Sequence, residues 1–316
     1  MNTMECQRYS IDKESGDAEL RSYQIFPGVV LVYTSVHMGE IQFEDYPEEQ
    51  MGHLIEIHHC LEGRVEQIYE DEIFYLEPGD LALGIRKEQN RHYHFPTTHY
   101  HGSMILIDTI RAPKCFSEFL EDVRVQPLEV AKRLCQGRNS FYIRRQPYID
   151  HIFSELYTVS DDLRKGYAKV KILELLLILS TISPEENEVP KRSLSQVQIQ
   201  LAKQSAEYLT QNMMRRITIP ELAKQFNVSE TTMKNAFKAV YGVPVYTFIR
   251  MLKIHQAAQL LRNTDVSVSD IAYDMGYKNT SKFADAFREI MGETPSEFRE
   301  NHKKARIPKF SGPNQK

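Results

Sequence analysis

With 316 residues, 41% of them hydrophobic, and 14 each of Gly and Pro, the chain holds enough apolar material for two or three domains and has neither a collagen nor a disordered-polymer composition. Its net charge of −4 hides an asymmetry: residues 1–190 carry 19 Lys and Arg against 32 Asp and Glu (−13), whereas residues 191–316 carry 20 against 11 (+9). The basic part points to a polyanion as its partner.

The N-terminal stretch "MNTMECQRYSIDKESGD" has no apolar core, so no signal peptide is expected. The most apolar segment, "ILELLLILSTI", is too short to span a bilayer and carries Glu174. Cys6, Cys60, Cys115 and Cys135 show no CxxC spacing, which argues against a thiolate zinc site and for reduced structural thiols. The expectation is a cytoplasmic protein with no membrane contact.

In chain order, residues 1–20 read as polar and irregular. Residues 22–110 read as strands, in the runs "GVVLVYTSVH", "HLIEIHHCLEG", "RVEQIYE", "EIFYLEPGDLAL" and "GSMILID". Pro78-Gly79 suits the centre of a type II turn. Short strands at roughly ten-residue spacing suggest an antiparallel barrel or sandwich. The period then changes. "PYIDHIFSELYTVSDDL" and "YAKVKILELLLILSTI" read as helices, with Val170, Leu173 and Leu177, flanked by Leu176, as the apolar stripe of the second. Asp161-Asp162 falls in the turn between them as a cap rather than an acid/base pair, and Glu44-Asp45 with Glu48-Glu49 reads as a solvated acidic loop. "SPEENEVPKRSLS" is polar and aperiodic and is the best linker.

Beyond the linker the chain repeats itself. "ELAKQFNVSETTMKNAFKAVYG" begins at Glu221 and "DIAYDMGYKNTSKFADAFREIMG" at Asp270. Leu222, Ala223 and Phe226 match Ile271, Ala272 and Met275 at an offset of 49, and after one inserted residue Met233, Ala236, Phe237 and Val240 match Phe283, Ala286, Phe287 and Ile290 at 50. Each copy reads as a short helix, a tight turn and a second helix. Ser229 is the expected N-cap of the first copy's second helix, and Gly276 and Asn279 serve the second copy. Met233, Ala236, Phe237 and Val240 form an inward stripe, which leaves Thr231, Lys234, Asn235 and Lys238 outside, where they can donate to base edges and phosphates. This is the pattern of a helix-turn-helix. The unbroken segment between the copies, about 18 residues, spans roughly 27 Å as a helix, close to the ~34 Å between successive major grooves on one face of DNA.

The stretch "GYKNTSKFADAFREIMGETPSEFR" closely resembles the signature of the AraC/XylS family of bacterial transcription regulators, at Gly276, Tyr277, Asn279, Ser281, Phe283, Phe287, Arg288, Gly292, Thr294, Pro295, Phe298 and Arg299. The resemblance extends over about 201–303. It departs at Val245, where the family usually has Pro; here Pro244 comes one residue earlier. The resemblance implies base contacts from Thr231, Lys234 and Asn235 in the first recognition helix and from Thr280, Ser281 and Asp285 in the second, with Lys238, Lys282 and Arg288 on phosphates. Asp285 stays open between accepting from cytosine N4 and being a solvated surface charge. For the N-terminal half the resemblance implies a cupin-type barrel that senses a small molecule, followed by dimerisation helices.

The expected fold is therefore α+β and multidomain: an N-terminal cupin-like β-barrel with dimerisation helices (1–182), a linker (183–194), an all-α double helix-turn-helix domain (195–303) and a tail (304–316). The histidine-rich stretch "RHYHFPTTHYHG" holds two HxH pairs, His92 with His94 and His99 with His101. Pro96 interrupts the strand between them. The metal set of cupin enzymes is broken here: "HHCLEG" contains no HxH, and no His follows soon after Gly79. The histidines are then a pocket rim or strand edge, or a pH-responsive group. His58, Cys60, His92 and His94 are the candidate ligand-pocket residues, with no metal, cofactor or catalytic residue expected. No GxSxG, phosphate loop, HExxH or GxGxxG is present. The function expected is an effector-responsive, dimeric transcription regulator that binds promoter DNA and, if an activator, RNA polymerase. The alternative is a metal-dependent cupin enzyme fused to a DNA-binding module.

Overall fold

A computed structural model describes residues 6–13, 16–42, 52–69, 72–86, 92–113, 125–138, 140–187 and 194–302. The acidic loop at Glu44-Asp45 and Glu48-Glu49, Cys115, residues 188–193 of the linker and the tail 304–316 lie outside them. The chain divides into two compact units: Met1–Ile199 with Ala239–Gly242, and Gln200–Lys238 with Val243–Lys316.

The first unit is built on strands β1 (Cys6–Lys13), β2 (Gly16–Phe26), β3 (Val29–His37), β4 (Glu40–Gln42), β5 (Leu54–Gly63), β6 (Val65–Tyr69), β7 (Glu72–Leu76), β8 (Leu81–Ile85), β9 (His92–His94), β10 (Tyr100–Asp108) and β11 (Ser140–Ile143). They form a seven-stranded sheet in the order β1-β2-β3-β10-β5-β8-β11 and a four-stranded sheet in the order β4-β9-β6-β7. Among the described residues these are two open sheets rather than the one closed barrel expected from the sequence.

Alternation along the strands gives the large sheet two buried faces. Val29, Leu31, Ile55, Ile57, Ile105 and Ile107 pack on helices α1 (Pro127–Cys135), α2 (Pro147–Thr158) and α3 (Asp161–Thr181). Val36, Cys60 and Tyr100 belong to a second core with Ile41, Val65, Leu76 and Phe95 of the smaller sheet and its flanks. Side chains two apart share a face and neighbours do not. His59 therefore stacks on Phe153 of α2 at 3.9 Å between ring centres, while His58 faces the inter-sheet space.

Three expectations need correction. Within the stretch 1–20, expected to be irregular, residues 6–13 form β1 and 16–20 begin β2, paired in register from Cys6↔Tyr23 to Lys13↔Gly16. The polar residues of β1 sit on an edge strand with little to bury, so the stretch carries no strong apolar signal. The helical stretch 147–163 breaks at Val159-Ser160, so Asp161 and Asp162 form the first turn of α3, with Ser160 as N-cap, where acidic side chains suit the helix dipole. The buried stripe of α3 is Ala168, Ile172, Leu175, Leu176 and Leu179, and Val170 is 61% exposed. The helix is apolar nearly all round, so period alone does not select the face that meets the sheet.

The second unit contains most of α5 (Gln196–Gln211) and of α7 (Glu230–Tyr241), together with α6 (Ile219–Gln225), α8 (Val245–Asn263), α9 (Val268–Asp274), α10 (Thr280–Met291) and α11 (Pro295–His302); a one-turn α4 (Pro184–Asn187) precedes it. Among the described residues no helix is long and apolar enough to cross a membrane.

Candidate nucleic-acid interface

The first helix-turn-helix starts from a capping box. Thr218 accepts from the Glu221 amide, and the Glu221 carboxylate accepts from the Thr218 amide at 2.8 Å, which fixes the start of α6. Asn227, at φ 53°, then turns the chain, and the Val228 amide donates to the Ala223 carbonyl at 3.0 Å. Ser229 caps α7 by accepting from the Thr232 amide at 3.1 Å, as the sequence predicts. Met233, Ala236, Phe237 and Val240 are buried, and Thr231, Lys234, Asn235 and Lys238 are exposed.

The second copy repeats the turn bond and the first helical bond of this skeleton, with small differences in its caps. Ser267 caps α9 by accepting from the Asp270 amide. Gly276, at φ +83°, takes the left-handed turn position, and the Tyr277 amide donates to the Ala272 carbonyl at 2.9 Å. Asn279 caps α10 by accepting from the Ser281 and Lys282 amides at 2.8 and 3.2 Å. The turn bonds sit 49 residues apart in the two copies and the first helical bonds, Met233 to Ser229 and Phe283 to Asn279, sit 50 apart. Lys278 is thus the inserted residue. Phe283, Ala286 and Phe287 are buried; Thr280, Ser281, Lys282, Asp285 and Arg288 are exposed.

Helix α8 enters at Pro244, which serves as N-cap, so the shifted proline costs the helix nothing at its start. It braces the second copy through residues that no motif singles out. Lys253 donates to the Met275 carbonyl at 3.0 Å, satisfying a C-terminal carbonyl of α9, and burial holds its ammonium below the usual lysine range. Arg250 pairs with Glu289 on α10, and the arginine's hydrogen bonds hold that carboxyl below the usual range.

The exposed faces differ in charge. Lys234 lies 3.3 Å from Glu230, and Arg288 lies 3.8 Å from Asp285, both as exposed pairs. Such pairs contribute about 0–1 kcal/mol and exchange readily for another partner. Asp285 is thus a surface carboxylate beside Arg288 rather than a buried acid. Each copy presents hydroxyl and cationic donors on one face of a capped helix, joined by the Asn235 amide in the first and the Asp285 carboxylate in the second, a set that suits phosphate and base edges.

In the strand-rich unit, His58 lines a narrow cleft between the sheets with Thr34, Ile41, Tyr93, Phe95 and Tyr100, with a cavity of about 40 Å³. Glu56 and Arg86 pair at its edge at 2.8 Å, and Tyr93 accepts from Arg86 at 3.0 Å. Burial alone would raise the Glu56 carboxyl, but the His58 and Arg86 contacts bring it below its usual value. Cys60 is fully buried, with its thiol pushed up by burial. His92 and His94 sit beside Glu40, at 3.1 and 3.6 Å, away from that cleft's lining. Of the four candidate pocket residues, only His58 lines it. Tyr93, Phe95 and Tyr100 line it as well, and their one sequence signal was the aromatic content of the histidine-rich stretch. His101 gathers instead with His37 and His99; burial, with those two rings beside it, lowers its pKa to about 4.

Residues 222–301 match the model of a helix-turn-helix domain family. The chain is 29% identical over 134 residues to the HTH-type transcriptional regulator ExsA of Pseudomonas aeruginosa, covering 42% of this chain and 48% of that protein. It is 28% identical over 132 residues to the HTH-type transcriptional activator RhaS of Escherichia coli, covering 42% and 45%. The chain thus spans about half the length of these relatives. Among solved structures, a probable AraC family transcriptional regulator from Rhodopseudomonas palustris is 29% identical and covers 33% of this chain and 98% of that one, at a TM-score of 0.31. With the matching turn bonds of its two copies, residues 222–301 form a helix-turn-helix domain of the kind found in AraC/XylS-family regulators.

Proposed function

We propose that this protein is a sequence-specific DNA-binding transcription regulator that responds to a small-molecule effector. The observation that carries the reading is the doubled helix-turn-helix: two capped helices with matching hydrogen-bond skeletons, each exposing a polar face. The regulators to which the domain is similar support it. In this reading Thr231, Lys234 and Asn235 read one stretch of bases and Thr280, Ser281 and Asp285 another, while Lys238, Lys282 and Arg288 hold phosphates.

The functional domains are then 1–182 for sensing and dimerisation, a linker at 183–194, and 195–303 for DNA. The cupin-like sensor is the two-sheet sandwich, and the effector enters the cleft lined by His58 and Tyr93. Its lining is mostly aromatic and aliphatic, which suits an apolar effector with few polar groups, and the cleft must widen from its present volume of about 40 Å³ to admit one. Dimerisation uses α3, whose outer side exposes Leu163, Tyr167 and Val170 at i, i+4 and i+7. The effector shifts the population between two states by its differential affinity for them. Promoter DNA and, for an activator, RNA polymerase are the partners, which places the protein in the cytoplasm. No enzymatic step is part of this reading.

Binding selection of the full chain on randomised duplex DNA tests it. The expected result is a bipartite motif with two base clusters about one helical turn apart, and affinity that falls linearly with the logarithm of salt concentration. A selection that enriches no sequence overturns the reading. A thermal-shift screen for small molecules that raise Tm tests the sensor separately.

A further inference from the structure

The two HxH pairs are drawn into two different clusters. His92 and His94 meet Glu40 at an exposed corner between β4 and β9. His99 and His101 meet His37, at the end of β3, and Glu62, near the end of β5. The second cluster is the more constructed. The ligand atoms of its three histidines all lie within 4.8 Å of one another. Glu62 Oε2 lies 3.3 Å from His99 Nε2 and 3.7 Å from His101 Nδ1. Donor atoms around a tetrahedral ion with bonds near 2.0–2.2 Å stand about 3.3–3.5 Å apart, so the carboxylate and two imidazoles are already close to that spacing.

The surroundings orient the donors. Ser35 Oγ lies 3.2 Å from His101 Nε2, which leaves Nδ1 for the cluster. Asp17 Oδ2 lies 3.7 Å from His37 Nδ1, beyond hydrogen-bond distance but near enough to turn Nε2 toward the cluster electrostatically. A partner on the distal ring nitrogen is the arrangement by which proteins fix a metal-binding imidazole. The backbone is shaped for the approach as well. Gly63 has φ +77°, and a Cβ there would stand 2.0 Å from the His99 carbonyl oxygen, so only glycine lets β5 bring Glu62 against His99. His37 and His99 are largely shielded, at 25% and 14% side-chain exposure, while Glu62 is open to solvent at 58% and gives an ion its entry.

We propose that His37, His99, His101 and Glu62 bind a divalent first-row transition-metal ion of the zinc type on the strand-rich unit. Three imidazoles and a carboxylate suit zinc and, with the same donors, nickel or copper. The ion ties the start of β10 to the ends of β3 and β5. Glu40, His92 and His94 are not this site: Glu40 is 64% exposed and His92 36%, and the cluster offers two imidazoles instead of three.

The test is independent of DNA and effector binding, so it stands or falls apart from the function proposed above. Full-length, tag-free protein is stripped with chelator and titrated with zinc by calorimetry, with elemental analysis for stoichiometry. One zinc per chain is expected. His37→Gln and His101→Gln, on different strands, should each weaken binding by more than the about 10–100-fold typical of losing a distal ring partner. Ser35→Ala should fall in that 10–100-fold range, and it keeps all four donors, so it reads the site even if an imidazole variant misfolds. His92→Gln with His94→Gln should leave zinc affinity unchanged. No stoichiometric zinc, zinc binding indifferent to His101→Gln and Ser35→Ala, or zinc lost in the His92/His94 variant overturns the proposal.

Discussion

The two helix-turn-helix copies share a skeleton and differ in what they show the solvent. Val228 and Tyr277 make the same turn bond, and Ser229 and Asn279 cap the following helix at the same place. Phe237 and Phe287 occupy equivalent buried positions at 0% exposure. Outside, the first copy offers Thr231, Lys234, Asn235 and Lys238, and the second Thr280, Ser281, Lys282, Asp285 and Arg288. The lesson is a division of labour by face. Packing and caps fix how each helix is held, and the exposed positions are free to diverge, so two similar folds can read dissimilar sequences.

The comparison breaks first in the cores. Phe237→Ala and Phe287→Ala should each destabilise the helical unit by about 3–5 kcal/mol, read from its denaturant unfolding. A cost below about 1 kcal/mol at either would show that one copy is not held by the packing that holds the other. The next largest effect lies in base reading. Asn235→Ala should relax preference at one cluster of bases and Asp285→Ala at a second, each by about 1–3 kcal/mol of discrimination. If both substitutions blur the same bases, the copies do not read separate stretches. If Asp285→Ala alone blurs none, its carboxylate serves only Arg288.

Caps sharpen the comparison further. Asn279 accepts from two backbone amides and Ser229 from one. Each substitution to Ala should cost about 1 kcal/mol, with the larger loss at Asn279; equal thermal shifts would erase that distinction. Phosphate contacts come next. Lys238→Ala should lower the slope of log affinity against log salt by about one. Arg288→Ala should lower it less, because Asp285 at 3.8 Å already screens the guanidinium. The smallest effect is in acid. The Thr218 amide and hydroxyl hold the Glu221 carboxyl below its usual value of 4.5. A lowered folded pKa means its contribution is complete above pH 4.5 and is lost as pH falls through the folded value. Glu221→Gln should therefore flatten the acid side of the helical unit's stability curve; an unchanged curve removes the capping box from the account.

The helical domain was legible because its signal is local and doubled. A 3.6-residue period, Ser229 and Asn279 as caps and Gly276 as turn each act within one helix-turn-helix, and a repeat at fixed offset tests every assignment twice. The strand-rich unit was legible only in part. The five apolar runs became strands, but β1, β2, β4 and β11 went unread: β1 is a polar edge strand, β2 mixes polar residues into its pattern, and β4 and β11 have only three and four residues. The stripe of α3 was misassigned because a helix apolar on most sides has no preferred period.

What the sequence determined by itself is the double helix-turn-helix: its inserted residue, its caps, its inward stripes and its exposed polar faces follow from contacts between near neighbours in the chain. What only the tertiary structure decided is where the histidines go. His92 and His94 share β9, and His99 immediately precedes β10, where His101 lies. Glu40, His37 and Glu62 come from elsewhere in the chain and reach them through sheet pairing alone. Sheet register joins residues far apart in sequence, and no local period encodes it.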